Sequence, residues 1–495
     1  MDNDVVHIIK KDEATLKIKC ERHIAQELSD HFSFFVPGFQ FVPSFRSKIW
    51  DGKIRLFSIQ TYEIYHGLIG HIEKFCESRG YIVTYSDPEI SFTEDFSVYH
   101  AEKFISTLNL PKKYSVHQHQ LEAFIHAIRQ RRTTLVSPTA SGKSLIIYLI
   151  VRQILNYRGK KGLIIVPTTS LVAQLSKDFE DYGWNIDENV HQIFQGKAKT
   201  TNKPLVISTW QSLYTMPPEY LHQFDFVLGD ECHLAKAKSL TTILSNAANA
   251  RYRVGLTGTL DGTKTHRLVI EGLFGPVRQV VTTTELMDKK LLSDFEIKCL
   301  VLKHNEDSCK LARETKSYEL EIKMLIESEA RNKFIKNLAL SLPGTTLLLY
   351  QYVDKHGKIL YDIIKSSENI GDRPVYLIHG KISTEERELY REEIIKGNNS
   401  LVIASFGTYS TGINIPNIDN VIFASPSKSR IRNLQSIGRA LRLSNGKKIA
   451  TLYDISDDLR IDKYTNHTLK HFSERLEIYN AEKFKFKIYK IQLKK

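Results

Sequence analysis

SPTASGKS, residues 137–144, stands between the apolar run TTLV (133–136) and the helix-patterned LIIYLIVRQIL (145–155). A strand, a short polar loop and a helix start, in that order, make a turn built for phosphate. Exposed backbone N–H groups wrap the anion and the helix dipole favours it. Ser137, Pro138, Thr139, Ala140, Ser141 and Gly142 would form the cradle. Lys143 then supplies a cation for the outer phosphates, and the Ser144 hydroxyl is a ligand for magnesium. The usual pattern GxxxxGK[ST] begins here with Ser137 in place of glycine.

Downstream, FDFVLG (224–229) runs into DECH (230–233). A carboxylate pair at a strand end suits one acid, Asp230, to hold the metal and the next, Glu231, to orient a water for in-line phosphoryl transfer. Cys232 and His233 have no further ligands at metal-site spacing, so a zinc reading is rejected. Two such segments in this order, each at the carboxyl end of an apolar run, point to a nucleoside triphosphatase.

Outward from these segments the chain keeps one texture. TTLVSP, GLIIVP, PLVIST, FDFVLGDE and YRVGLTGT recur with helical stretches between them, and TTLLLY, PVYLIHG, SLVIAS, NVIFAS and IATLYD follow as a second series. Continuous apolar runs suit strands covered on both faces, hence two α/β halves with parallel sheets, the boundary falling near 283–295. Residues 1–97 read as a small α+β domain. ATLKIKC (14–20), KIRLFS (53–58) and YIVTYS (81–86) are its strands, ERHIAQELSDHF (21–32) and GLIGHIEKFCESRG (67–80) its helices, and SDPEISFTEDFS (86–97) a linker. The expected domains are 1–97, 98–287, 288–460 and a basic helix and strand over 461–495. In the tail Lys483, Lys485 and Lys487 would share one strand face and Phe484, Phe486 and Ile488 the other. That pattern suits either an edge strand protected by lysines or a DNA contact.

The 495 residues carry a formal charge of +13 and are 42% hydrophobic and 25% charged, a globular composition with a mild bias toward a polyanion partner. Five scattered cysteines give neither a disulfide framework nor a CxxC pair. Without a signal-peptide core or an apolar run of the ~20 residues that cross a bilayer, a soluble protein of the cytoplasm, with no membrane partner, is expected.

The remaining segments resemble the superfamily-two helicases. Gln120 in VHQHQLEAF (116–124) stands where that family reads adenine. IIVPTTSLVAQ (164–174) and STWQSL (208–213) resemble the strand-lining motifs, which implies nucleic-acid contacts at Pro167, Thr168 and Thr209. LTGT (256–259) matches the motif that couples hydrolysis to domain movement, through Thr257 and Thr259. LIHGKISTEER (377–387) and ASFGTYSTGINIP (404–416) place His379, Gly380 and Thr411 on nucleic acid and Gly412 and Asn414 on ATP. QSIGRALR (435–442) supplies Gln435, Arg439 and Arg442 as catalytic residues.

The resemblance implies two tandem RecA-like parallel-sheet domains behind the α+β domain, ATP and magnesium as cofactors, and one ATPase site completed by arginines from the second half. Such arginines are worth about 10³–10⁵ in rate. A monomer suffices. Within the superfamily the nearest resemblance is to phage UvsW-type branch-migration helicases, resting on the N-terminal FRSKIWDGKIRLF (45–57), on DECH and on QSIGRALRL. It implies work on forks and four-way junctions.

In FRSKIWDGKIRLF, Arg46, Lys48, Lys53 and Arg55 suit phosphates, and Trp50 suits an unpaired base, unless Trp50 and Phe57 are core residues. An RNA helicase, or a duplex translocase that remodels protein–nucleic-acid complexes, remains open. A binding or annealing protein with a decayed ATPase is disfavoured by the intact Lys143, Glu231 and Arg442.

Overall fold

The computed structural model describes residues 4–493, apart from 37, 139, 158, 160, 194–199, 235–236, 261–263, 413–414, 416–417 and 426–448. Two compact units divide the chain: Met1–Ser137 with Gly142–Val280, and Val281–Lys495 together with the short segment Pro138–Ser141.

The first unit holds a seven-stranded sheet in the order Val190–Ile193, Leu205–Thr209, Gly162–Val166, Phe226–Gly229, Tyr252–Thr257, Arg132–Val136 and Val277–Gln279. Every pairing is parallel. All five residues of Leu205–Thr209 and of Gly162–Val166 are buried, which is why these strands read as unbroken apolar runs. The helix Lys143–Tyr157 is buried continuously from Leu145 to Val151, so it is apolar all round rather than amphipathic.

The second unit repeats the plan: Val375–Ile378, Leu401–Ser405, Thr346–Tyr350, Asn420–Phe423, Ile449–Asp458, Asp294–Lys303 and Phe486–Gln492, again all parallel. Two tandem RecA-like sheets are therefore present. In the second unit, the buried strand end Ile449–Asp458 is neutralised side chain by side chain. Arg475 meets Asp454 at 2.8 Å, and Arg331 and His304 each meet Asp457 at 2.9 Å.

The tail strand Phe486–Gln492 is a sheet edge, paired only with Asp294–Lys303. Its expected two-faced pattern holds in part: Phe484 is buried and Lys485 and Lys487 are exposed, but Ile488 is exposed too.

Residues 5–85 form a five-stranded sheet ordered Phe57–Ser58, Glu63–Tyr65, Thr15–Lys19, Val5–Lys10 and Ile82–Tyr85. The helices Arg22–His31 and Ile69–Arg79 accompany it. The expected strand over 53–58 is in fact two. Lys53–Arg55 pairs with Ser33–Phe35 in a separate ribbon, and Phe57–Ser58 returns to the main sheet with Phe57 fully buried.

The stretch 86–97 is no loose linker. Ile90 and Phe96 are buried, and the buried Glu94 takes an ion pair from Arg131 at 2.8 Å and the Tyr252 hydroxyl. One apolar cluster runs without a break from Val6, Leu16 and Leu68 of the small domain to Ile243, Leu268 and Leu273 beside the large sheet. Glu13 and Arg132 meet at 2.5 Å, and His71 and Glu271 at 2.6 Å. The small domain is thus built into the first unit. Removing residues 1–95 would strip half of a shared core, so point substitutions are the sounder probe of this domain.

Gly67 marks the closest approach: a Cβ there would lie 2.0 Å from the Glu271 carbonyl oxygen. Gly67→Ala should lower the unfolding free energy of the first unit by about 1–3 kcal/mol through overpacking. Denaturant melts read this directly, and an unchanged midpoint would contradict the packing described.

Candidate active site

The sequence segments singled out for chemistry gather at the carboxyl edge of the first parallel sheet, where open α/β sheets bind ligands. Ser137 follows the strand Arg132–Val136 and is tied to its neighbour, its N–H donating to the Thr257 carbonyl at 2.9 Å. The loop closes on itself where the Ser141 hydroxyl donates to the Pro138 carbonyl at 2.7 Å. Gly142 has φ +80, and a Cβ there would lie 2.1 Å from Gln120 Nε2. Glycine is therefore needed twice, for the left-handed backbone and for the close pass of Gln120. Gln120 is buried, and its Oε1 accepts the His117 N–H at 2.9 Å. Thr139 lies outside the described residues.

Lys143 opens the helix. Its Nζ reaches the Ser137 carbonyl at 3.2 Å and Glu231 Oε1 at 3.4 Å. Asp230 and Glu231 follow the strand Phe226–Gly229, and Glu231 sits at φ +47, a backbone cost of the kind that persists at functional sites. Its second oxygen, Oε2, takes the Gly258 N–H at 3.3 Å and lies 3.5 Å from His233 Nδ1. That ring nitrogen is in turn 2.5 Å from the Thr257 hydroxyl, which donates to the Thr259 carbonyl at 2.7 Å. The hydroxyl has one proton and spends it on Thr259, so it accepts from His233 and Nδ1 carries the hydrogen. A continuous chain links Lys143, Glu231, His233, Thr257 and Thr259.

Burial opposes ionisation of Glu231, but Lys143, then His233 and the Gly258 amide, outweigh it and hold the carboxyl below its usual range. Asp230 goes the other way. Burial, then the neighbouring Glu231 charge, push it up to about 7, and Lys143 offsets only part of this. A carboxyl short of positive charge is the kind of oxygen ligand that fits a hard divalent cation. Burial pushes the Cys232 thiol up, with Glu231 and Asp230 adding to the effect, so it is a core residue and no thiolate ligand.

Sequence reasoning missed Tyr182. This buried residue, at the end of the helix Thr169–Asp181, meets the Ser144 hydroxyl at 2.9 Å through its own. No local pattern marks it, since 38 residues separate the pair. The same helix is capped at its other end by Thr168, whose hydroxyl accepts the Leu171 N–H. Thr209 caps the helix Trp210–Tyr214 in the same way, and Gln211 Nε2 donates to the Pro167 carbonyl at 3.2 Å. Pro167, Thr168 and Thr209 are therefore neighbours at the carboxyl ends of two adjacent strands.

In the second unit His379 and Gly380 follow the strand Val375–Ile378, and Thr411 and Gly412 end the helix Phe406–Gly412. Burial, then Lys358 and Lys381, lower the His379 pKa. Asn414, Gln435, Arg439 and Arg442 lie outside the described residues.

The N-terminal candidates separate. Trp50 is half-buried, with its Nε1–H donated to the Lys53 carbonyl at 2.9 Å, so it is a structural brace of the ribbon. Arg55 pairs with Asp51. Arg46, Lys48 and Lys53 form no ion pair among the described residues.

Comparison with known proteins gives the family. Residues 5–86 match the N-terminal domain model of the DNA helicase UvsW, 112–262 the type III restriction enzyme res subunit, and 329–444 the helicase conserved C-terminal domain. The ATP-dependent DNA helicase uvsW of Enterobacteria phage T4 is 35% identical over 95% of this chain and 96% of its own length. The crystal structure of T4 UvsW matches with a TM-score of 0.53 at 32% identity, covering 99% of this chain and 100% of that one. S. cerevisiae Dbp5 bound to RNA and ADP BeF3 shares the fold alone, at 14% identity and a TM-score of 0.52 over 79% of this chain and 93% of its own. The chain belongs to the UvsW family of superfamily-two helicases.

Proposed function

We propose that this chain is an ATP-dependent DNA helicase that opens and moves branched DNA, forks and four-way junctions, in replication and recombination. The observation that carries the reading is kinship along 95% of the chain to a DNA helicase, together with the match of residues 5–86 to the N-terminal domain of the DNA helicase UvsW. Magnesium, held by Ser144 and Asp230, would shield phosphate charge. Every other part falls to the chain's own side chains. Lys143 grips the outer phosphates, Gln120 selects adenine, and the ionised Glu231 orients the attacking water. His233 and Thr257 hold Glu231 in register with the 256–259 turn.

Arg439 and Arg442, with Gln435, act on the transferring phosphoryl group, while Gly412 and Asn414 contact the nucleotide. Pro167, Thr168 and Thr209 of the first unit, and His379, Gly380 and Thr411 of the second, follow the nucleic-acid backbone. A nucleotide-dependent change in grip then becomes movement along the strand. The protein acts as a monomer in the host cytoplasm. Among the described residues no helix is long and apolar enough to cross a membrane.

ATP turnover with single-stranded, duplex, forked and RNA cofactors tests the reading. Forked DNA should stimulate most, with unwinding of the fork. Stimulation by RNA alone would overturn it in favour of an RNA helicase.

Lys143→Ala should abolish turnover while DNA binding persists. Glu231→Gln should keep nucleotide binding and trap the protein on DNA, with turnover down at least about 100-fold. Wild-type hydrolysis by Glu231→Gln would remove the assignment of DECH. Arg442→Ala and Arg439→Ala should lower kcat by about 10³ with a small change in ATP affinity. Lost affinity with unchanged kcat would make these arginines ground-state binders.

A further inference from the structure

Between Phe32 and Leu56 the chain leaves the five-stranded sheet as a separate ribbon, Ser33–Phe35 against Lys53–Arg55. Its tip holds a short turn, Phe39–Phe41, and a single helical turn, Pro43–Arg46. The tip has its own small core. Phe39 stacks on Phe35 at 4.8 Å and meets Phe45 edge-on at 4.7 Å, and Trp50 closes the base through Lys53. Its backbone is tied down: Phe41 N–H donates to Gly38 O, and Ile49 N–H to Ser44 O at 2.9 Å.

On this fixed frame two large apolar side chains point into water. Ile49 is 82% exposed and Phe41 74%, the two highest values for large apolar residues among those described. Neither packs the fold, and a fixed, exposed apolar pair is a contact surface rather than a folding feature.

The surrounding charge says what kind of contact. The one acid in this stretch, Asp51, is committed to Arg55, whereas Arg46, Lys48 and Lys53 have no acidic partner among the described residues. Cations beside exposed apolar side chains fit a partner with phosphates next to accessible base faces. Phenylalanine and isoleucine are among the side chains that wedge between base steps, and they do so at least cost where pairing is already broken.

We propose that Phe41 and Ile49 form a wedge that seats against the first open base pair of a DNA branch, with Arg46, Lys48 and Lys53 on the adjacent phosphates. The proposal rests on the branched-DNA reading and adds its contact residues. It replaces Trp50, singled out from sequence, by two exposed residues that precede it in the chain.

The test is Phe41→Ala with Ile49→Ala in the full chain. Both side chains are exposed, so the melting midpoint should match wild type. Three readouts follow: ATPase on long single strands, affinity for a four-way junction against linear duplex, and fluorescence of 2-aminopurine placed at the branch. The double variant should keep single-strand ATPase within two-fold. It should bind the junction about ten-fold more weakly, with linear duplex little changed, and lose the 2-aminopurine response that wild type gives. Arg46→Ala with Lys48→Ala should instead weaken all DNA together and flatten the salt dependence.

If wild type prefers junctions and the double variant does so equally, the wedge is overturned and the patch belongs to another partner, such as a protein. Equal loss on junction and linear duplex would also overturn it. If wild type shows no junction preference at all, the branched-DNA reading fails and takes the wedge with it.

Discussion

The Lys143–Glu231 pair, 3.4 Å apart and nearly closed to solvent, is the contact on which the first unit's chemistry depends. Burying two charges is costly, and the cost is recovered only if other partners complete each ion. Here they do. Lys143 also meets the Ser137 carbonyl, and Glu231 also takes the Gly258 N–H and faces His233. The pair thereby locks three loops together: the phosphate loop after Val136, the acidic turn after Gly229 and the turn that follows Thr257. Each loop leaves a neighbouring strand of one parallel sheet, so the sheet order is what brings them into reach. Loss of either partner leaves a buried, uncompensated charge, and that asymmetry makes the site intolerant of single changes.

A second constraint joins the small domain to the motor. Glu94 with Arg131, Glu13 with Arg132, and the close pass of Gly67 over Glu271 fix the domain on the helix Lys264–Phe274 and on the end of the strand Arg132–Val136. That strand leads directly into the phosphate loop. The ribbon and the strand that leads into the phosphate loop thus belong to the same compact unit.

Much of this was legible in the sequence. Ten strands of the two large sheets were readable as short apolar runs, most of them because parallel strands covered on both faces have no polar side to show. The inner strand Asp294–Lys303 was missed: its first half alternates polar and apolar residues, although Cys299–Leu302 are buried. Two of the four edge strands were not readable either. Val190–Ile193 and Val277–Gln279 need only one covered side and carry His191, Gln192, Arg278 and Gln279 among few apolar residues. The segment 86–97 looked like a linker because its acids and turn formers suit solvent; Arg131 and Tyr252, distant in sequence, help to stabilise the buried Glu94. Trp50 and Phe57 show the same limit, since alternation assigns residues to two faces without saying which face is covered. The candidate carboxylates Asp230 and Glu231 stood out because the chemistry proposed for them requires a fixed local order. Tyr182 escaped because its contact with Ser144 is made by tertiary packing alone.

The chain of contacts from Glu231 through His233 to Thr257 ties the carboxylate proposed to orient the attacking water to the turn proposed to couple hydrolysis to movement. Thr257→Val removes only the hydroxyl that receives His233 and binds Thr259, so the most direct measurement is base pairs opened per ATP hydrolysed on a fork. With the contacts as described, the variant should keep at least about half of its DNA-stimulated ATP turnover. It should open roughly ten-fold fewer base pairs per ATP, as expected if a coupling of about 1.4 kcal/mol is lost. An unchanged ratio, whatever the turnover, would contradict it.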